Sequence, residues 1–175
     1  MFKTFVNAFK IPELRKKILY VFFVLVIVRL GSQLAIPGID GTRVREMLSQ
    51  LSNNDLLDAF TGGSLSSFSI FALSITPYIT SSIIMQLLTI AIPKLEELHQ
   101  DEDGRKKINE ITRYLTVGLA VIESAGMAIG FGNAGYFELK FMTVVYMVVS
   151  LTAGSTLLMW LGERITEKGV GNGIS

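Results

Sequence analysis

Four apolar runs, each long enough to cross a lipid bilayer as a helix, govern what this chain can fold into: Ile18 to about Ile36, about Phe68 to Ile92, about Tyr114 to Phe131, and about Phe141 to Leu161. A bilayer core of roughly 30 Å takes about 20 mostly apolar residues in helical form, and hydrocarbon leaves no backbone N–H or C=O to be satisfied by water. The expected architecture is therefore an all-α integral membrane protein with four transmembrane helices. Composition agrees: 50% of residues are hydrophobic and 18% charged, where a soluble domain carries about 25% charged residues. The first run lacks a small-residue cleavage site and is followed by three more, so it reads as a retained span, not a signal peptide.

The charges gather between the runs. Lys3, Lys10, Arg15, Lys16 and Lys17 precede span one; Lys94, Arg105, Lys106, Lys107 and Arg113 follow span two; Arg164 and Lys168 follow span four. The alternate loops carry only Arg43, Arg45 and Lys140. The positive-inside rule then places both termini and the second loop in the cytoplasm. Within residues 1–17, Phe2, Phe5, Val6 and Phe9 recur at helical spacing beside Lys3 and Lys10 until Pro12 interrupts. That pattern predicts a short amphipathic helix on the cytoplasmic surface.

The external segment from Pro37 to Ser67 is long for a connector. Leu48, Leu51, Leu56, Leu57 and Phe60 make it apolar without the length to span, and Thr61-Gly62-Gly63-Ser64 breaks any helix before Leu65. This predicts a re-entrant half-helix over about 56–67, tolerated at membrane depth only against protein or a watery cavity. A surface loop is the plainer alternative.

Little here suggests chemistry on bound substrates. The sequence has no Cys and one His, His99, in a charged loop read as solvated and mobile. Gly130, Gly132 and Gly135 match a dinucleotide-type glycine spacing, but they end a membrane span where the motif needs a strand before and a helix after. Gly169, Gly171 and Gly173 form a flexible turn without the Lys-Ser/Thr of a phosphate loop. No nucleophile–base constellation or metal-ligand set is visible, so an enzyme, a metal site and a cofactor are not expected. Two ionisable residues lie inside spans, Arg29 and Glu123. Facing lipid would cost each roughly 2.5–3.5 kcal/mol on insertion scales. Arg29 can snorkel outward; Glu123, at mid-span, calls for a polar partner or a water-lined path. The Gly126–Gly130 pair and the Ser150–Gly154 pair read as close-packing faces.

Span two is the most informative. At about 100° per residue, Ile75, Ile79, Ser82, Gln86 and Thr89 share one broad face, apolar on its outer half and polar on its inner half. A lipid-facing surface would not change character this way; a cavity wall, dry at mid-depth and wet toward the cytoplasm, would, and hydrophobic constrictions of that kind gate pores. Pro77, read as lying in the middle of the span, is expected to kink it. Ordinary packing glued by small polar groups has equal standing from pattern alone.

The residues themselves resemble a known family. Residues 60–98, FTGGSLSSFSIFALSITPYITSSIIMQLLTIAIPKLEEL, are similar to the plug and second span of bacterial SecY, the channel subunit of the Sec protein translocon. RLGSQLAIPGID at 29–40, GRKKINEITRYLT at 104–116 and LMWLGERITEKGVGNGIS at 158–175 resemble other stretches of the same family, in the same order. The resemblance implies a ten-span channel in two pseudo-symmetric halves, of which this chain is an incomplete half that stops at Ser175, where a fifth span should begin. It implies a pore constriction with Ile75 and Ile79, a lateral gate with Thr80, Gln86 and Glu123, and a plug that includes Leu57, Phe60, Gly62, Gly63 and Leu65. The implied activity is passage of unfolded polypeptides across, and insertion of membrane segments into, the cytoplasmic inner membrane of a bacterium, with none expected from the fragment alone. The implied partners are the rest of SecY, SecE- and SecG-type small membrane subunits, the SecA motor and the ribosome (mainly through the missing half), signal sequences, unfolded polypeptide and lipid. No nucleic acid is expected except in ribosomal contact.

Two rival readings belong to other classes. A small four-span transporter with Glu123 as its ion site predicts solute transport by this chain alone. A purely structural membrane subunit predicts tolerance to substitution on the Ile75/Ile79 face.

Overall fold

The structure, a computed structural model of the chain, describes residues 11–37, 39, 68–135 and 137–174. Its regular elements are all helices: α1 (Pro12–Gly31), α2 (Thr76–Ala91), α3 (Pro93–Gln100), α4 (Glu102–Asn133) and α5 (Phe141–Lys168). Among the described residues, α4 and α5 are each long and apolar enough to cross a membrane, and α2 with α3, bent by 106° at their junction, count as a third if the pair is one span. The helical, apolar part of α1, residues 18–31, is only roughly 21 Å long at about 1.5 Å per residue.

Helix α1 opens at Pro12, whose fixed φ suits a first turn and whose missing N–H would have lacked a partner there anyway. Pro12 thus begins a helix where the sequence suggested that it interrupts one; residues 1–10 of the expected amphipathic segment lie outside the described residues. The helix stops at Gly31, short of Ile36. Arg29 sits in its last turn, where a cation meets the carbonyl end of the helix dipole, and the Ser32 hydroxyl donates to the Arg29 carbonyl at 2.8 Å.

Past the Ser32–Gln33 turn the chain is extended, because its backbone pairs elsewhere. Ala35 bridges Ser69 in antiparallel fashion; the Ile36 N–H donates to the Phe68 carbonyl at 3.2 Å and the Ile70 N–H to the Leu34 carbonyl at 3.0 Å. Residues 68–75 are consequently turns, not helix, with Phe68 at φ 45° and Ser74 at φ 54°. Span two is helical only from Thr76, and Pro77 lies in the first turn of α2, so it starts that helix instead of kinking it.

This irregular knot fills the space between the helices. Phe68, Ala72 and Leu73 are buried with Ile36, Ala128, Met147 and Leu151, and the Phe68 ring meets Phe131 edge-on at 5.2 Å. Two glycines admit it: a Cβ on Gly154 would overlap the Ile70 carbonyl, and one on Gly31 would overlap the Phe71 ring.

The charged stretch after span two is helical, not a mobile loop. It forms α3 and the first turns of α4, with a Lys106–Asp103 pair at 2.9 Å on the exposed side. Helix α4 runs 32 residues, about 48 Å, so roughly 18 Å of it extends beyond a bilayer core. Its buried residues repeat every four: Gly104, Ile108, Thr112, Thr116, Ala120, Ser124, Ala128 and Gly132. A repeat of four lags the 3.6-residue turn by about 40° per step, so the stripe winds around the helix and meets α3, α2 and α5 in succession. Small residues along it let the helices approach closely. The Gly126–Gly130 pair is not part of it: both are exposed, and a Cβ on either would touch nothing within 4 Å. Of the Ser150–Gly154 pair, Gly154 is buried in the packing just described.

Most buried hydroxyls bond within their own helix: Ser81 to the Pro77 carbonyl at 2.7 Å, Thr112 to that of Ile108 at 2.8 Å, Thr116 to that of Thr112 at 2.7 Å. Helices α4 and α5 are joined more firmly, by Ser124 and Thr152 hydroxyls 3.3 Å apart and by an Arg113–Glu163 ion pair at 2.8 Å near the charged end.

Gly154→Ala is expected to destabilise the fold by about 1–3 kcal/mol, because a backbone carbonyl cannot yield to the added methyl. Gly126→Ala, in open space on a helix, is expected to be neutral or to stabilise by up to about 1 kcal/mol. Thermal aggregation midpoints in detergent read the contrast; equal midpoints for the two variants would count against the knot's packing.

Candidate functional site: the two cavities along span two

Ile75 caps the start of α2, and the Ile79 N–H donates to its carbonyl at 3.1 Å, so the two side chains stack one turn apart. Ile75 borders a cavity of about 330 Å³ between α1, the 68–75 knot and α5. Val24, Leu25, Val28, Phe71 and Leu161 make most of its wall, with Arg29, Ser32 and Ser74 at its polar points. Ile79 is 44% exposed and begins an outward stripe of large apolar side chains that continues with Ile83 and Leu87.

A second cavity, of about 460 Å³, opens on another side of α2, toward α3 and α4. Tyr78, Ser82, Gln86 and Thr89 line it from α2, His99 from α3, Asn109 and Thr112 from α4. The change from apolar to polar read along span two is therefore realised as two separate spaces: Ile75 borders the first, Ser82, Gln86 and Thr89 the second. The bend between α2 and α3 makes this possible, because it folds α3 back beside the end of α4. His99, expected in a loop, sits on α3 at the edge of that space.

The remaining expected site residues are spread out. The Thr80 hydroxyl donates to the Thr76 carbonyl at 3.0 Å, one turn before. Glu123 is half-buried on α4, next to the buried Ser124, and has no hydrogen-bond or ion-pair partner among the described residues. It lines neither of the two cavities. Leu57, Phe60, Gly62, Gly63 and Leu65 lie outside the described residues. Among the described residues no cluster of acidic, His or Cys side chains is arranged to hold a metal ion.

Sequence reasoning missed the α4 side of the polar cavity, because Asn109 and Thr112 fell in a stretch read as loop. The four-residue repeat from Thr112 through Ala128 was a usable signal, and it would have carried the helix back toward the charges.

Comparison with known proteins agrees with this fold. The family model for SecY matches residues 69–175. Over its whole length the chain is 42% identical to the protein translocase subunit SecY of Streptomyces coelicolor, of which it covers 44%. It is 45% identical to the subunit of the same name from Staphylococcus carnosus, of which it covers 42%. The chain thus spans less than half the length of these relatives. Two solved structures share its fold at a TM-score of 0.61, each over 96% of this chain. One is Sec61 in the canine ribosome–channel complex from the endoplasmic reticulum, 21% identical and covered over 38% of its length. The other is a SecY structure, 22% identical and covered over 37%, described by its plug domain stabilising the closed state of the translocation channel and maintaining a membrane seal. An all-helical membrane fold with a broken second span, matched in sequence along its full length, makes this chain a member of the SecY family.

Proposed function

We propose that the chain supplies amino-terminal spans of a protein-conducting channel, which passes unfolded polypeptides across the cytoplasmic membrane of a bacterium and releases membrane segments sideways into lipid. The observation that carries this reading is the division of span two between an apolar space at Ile75 and a polar one at Gln86. An aliphatic constriction excludes ions because water leaves a narrow apolar passage. It still parts around an extended polypeptide, since aliphatic side chains offer no specific bonds that must first be broken. In this reading Ile75 and Ile79 contribute to the constriction, Thr80, Gln86 and Glu123 to the lateral gate, and residues 56–67 to the plug. Four spans with the amino terminus in the cytoplasm follow from the loop charges, since Arg15–Lys17, Arg105–Lys107, Arg113, Arg164 and Lys168 then share one side. The partners in this reading are the remainder of the channel, small membrane subunits of the SecE and SecG type, and a SecA motor or ribosome at the cytoplasmic face.

Two outcomes test it in the full-length channel reconstituted in planar bilayers. Ile79→Asn removes about 1.5–3 kcal/mol of the apolar contribution that keeps the constriction dry, so resting ion conductance is expected to rise roughly tenfold to a hundredfold. Conductance equal to wild type would remove Ile79 from the constriction. Thr80→Cys, paired with a scan of single cysteines through the other half, is expected to form a disulfide across the gate that blocks membrane insertion until reduced. Failure at every scanned position, with a control pair between α4 and α5 forming readily, would remove Thr80 from the gate.

A further inference from the structure

One buried hydroxyl departs from the pattern of its neighbours. Ser155, on α5, is 1% exposed, and its hydroxyl has no hydrogen-bond partner among the described residues. Ser81, Thr116 and Thr156 each donate to the carbonyl one turn before, and Ser124 reaches both the Val121 carbonyl and Thr152. A hydroxyl buried without a partner has lost its bonds to water and gained nothing to offset them. Whatever packs over Ser155 is held less firmly for that reason.

Helix geometry identifies the cover. At about 100° per residue, Thr152 and Glu163, which meet α4, lie within about 20° of each other on α5, and Gly154, against the knot, is about 160° away. Ser155 points into the buried angle between them, about 60° from Thr152; the opposite arc, with Tyr146, Val149 and Trp160, is exposed. The height follows from two registers. Ser124–Thr152 and Arg113–Glu163 pair α4 with an antiparallel α5, so Ser155 is level with Val121, next to the buried Ala120. Phe68 meets Phe131, and Gln86 shares the polar cavity with Thr112. Pro77 lies midway between Phe68 and Gln86, as Val121 does between Phe131 and Thr112, so Pro77 comes to the same level. Pro77 is fully buried, and α2 packs on both α4 and α5. Proline has no backbone N–H, so the groups at that level, the Pro77 ring and the Ala120 methyl, give the Ser155 hydroxyl nothing to bond.

We propose that Ser155 is a positioning residue for span two: its unpaired hydroxyl weakens the seat of α2 on α5, and it is relieved when the start of α2 moves aside and water or a backbone carbonyl reaches it. This rests on the channel reading and adds to it a residue, outside the constriction and the gate, that sets how readily α2 is displaced. The interface suits the role, since Ser81, Thr112 and Thr116 direct their hydroxyls to their own helices and do not tie α2 down.

The test uses the full-length channel in membrane vesicles and two secretory reporters, one with an intact signal sequence and one with its apolar core shortened, whose entry depends more on how easily α2 yields. Ser155→Ala removes a single oxygen from the buried site. It is expected to lower export of the weakened reporter, relative to the intact one, by about fivefold to a hundredfold, the range for one unpaired buried hydroxyl. It is also expected to raise the thermal midpoint of the purified channel. Ser81→Ala removes a hydroxyl that bonds within α2 and travels with it, and is expected to leave the export ratio at the wild-type value. An unchanged or raised ratio for Ser155→Ala, a lowered midpoint, or an equal fall for Ser81→Ala would overturn the proposal and leave the channel reading standing. A wild-type channel that exports neither reporter would overturn both.

Discussion

The structure depends on one short piece of backbone pairing at membrane depth. Leu34–Ile36 and Phe68–Ile70 exchange hydrogen bonds across an antiparallel bridge, and the pair lies against Gly154, halfway along α5. Non-helical backbone survives in a bilayer only when its polar groups are satisfied by protein. Here each of the two strands satisfies the other, and neither continues as helix. That exchange ends α1 at Gly31 and delays α2 to Thr76.

A second span that starts late has consequences for what it can line. Because α2 begins below the knot, Ile75 and the knot's Phe71 and Ser74 face the space toward α1 and α5. Because α2 ends in a 106° bend, its later turns face α3 and α4 instead. One helix therefore borders a mostly apolar space near its start and a polar one along its length. Helices α4 and α5, tied by Arg113–Glu163 and Ser124–Thr152, give this arrangement a firm back. The interface of α2 is different in kind, since Ser81, Thr112 and Thr116 direct their hydroxyls to their own helices. Its packing combines small side chains with Met85 and Ile108, with few directional bonds between helices among the described residues to break if α2 shifts.

The apolar lengths and the clustering of charge made the helical membrane fold legible from sequence, because both follow directly from the cost of placing polar groups in hydrocarbon. Helix boundaries were less so. Hydropathy cannot tell the extended Leu34–Ile36 from one more turn of helix, and Phe68 and Ser74 adopt positive φ without the glycine that would announce it. The charged turns of α4 were hidden for the opposite reason: a scan for apolar length sees only the part inside the membrane, although the Asp103–Lys106 spacing is helical. The Gly126–Gly130 pair misled because two small residues four apart mark a face without saying whether anything covers it. At the site, the apolar-to-polar gradient from Ile75 to Gln86 was readable from side chains alone. The α4 wall at Asn109 was not, since it depends on the bend at Ile92.

The central claim is that one side of α2 borders a cavity with polar lining while another, carrying Ile79, Ile83 and Leu87, is apolar. The sequence contains no cysteine, so single cysteines placed along α2 can be titrated in intact membranes with a membrane-impermeant maleimide. Rapid labelling at positions 82, 86 and 89, with slow labelling at 83 and 87, is the predicted result. Uniform labelling along the helix, or the reverse pattern, would contradict the account.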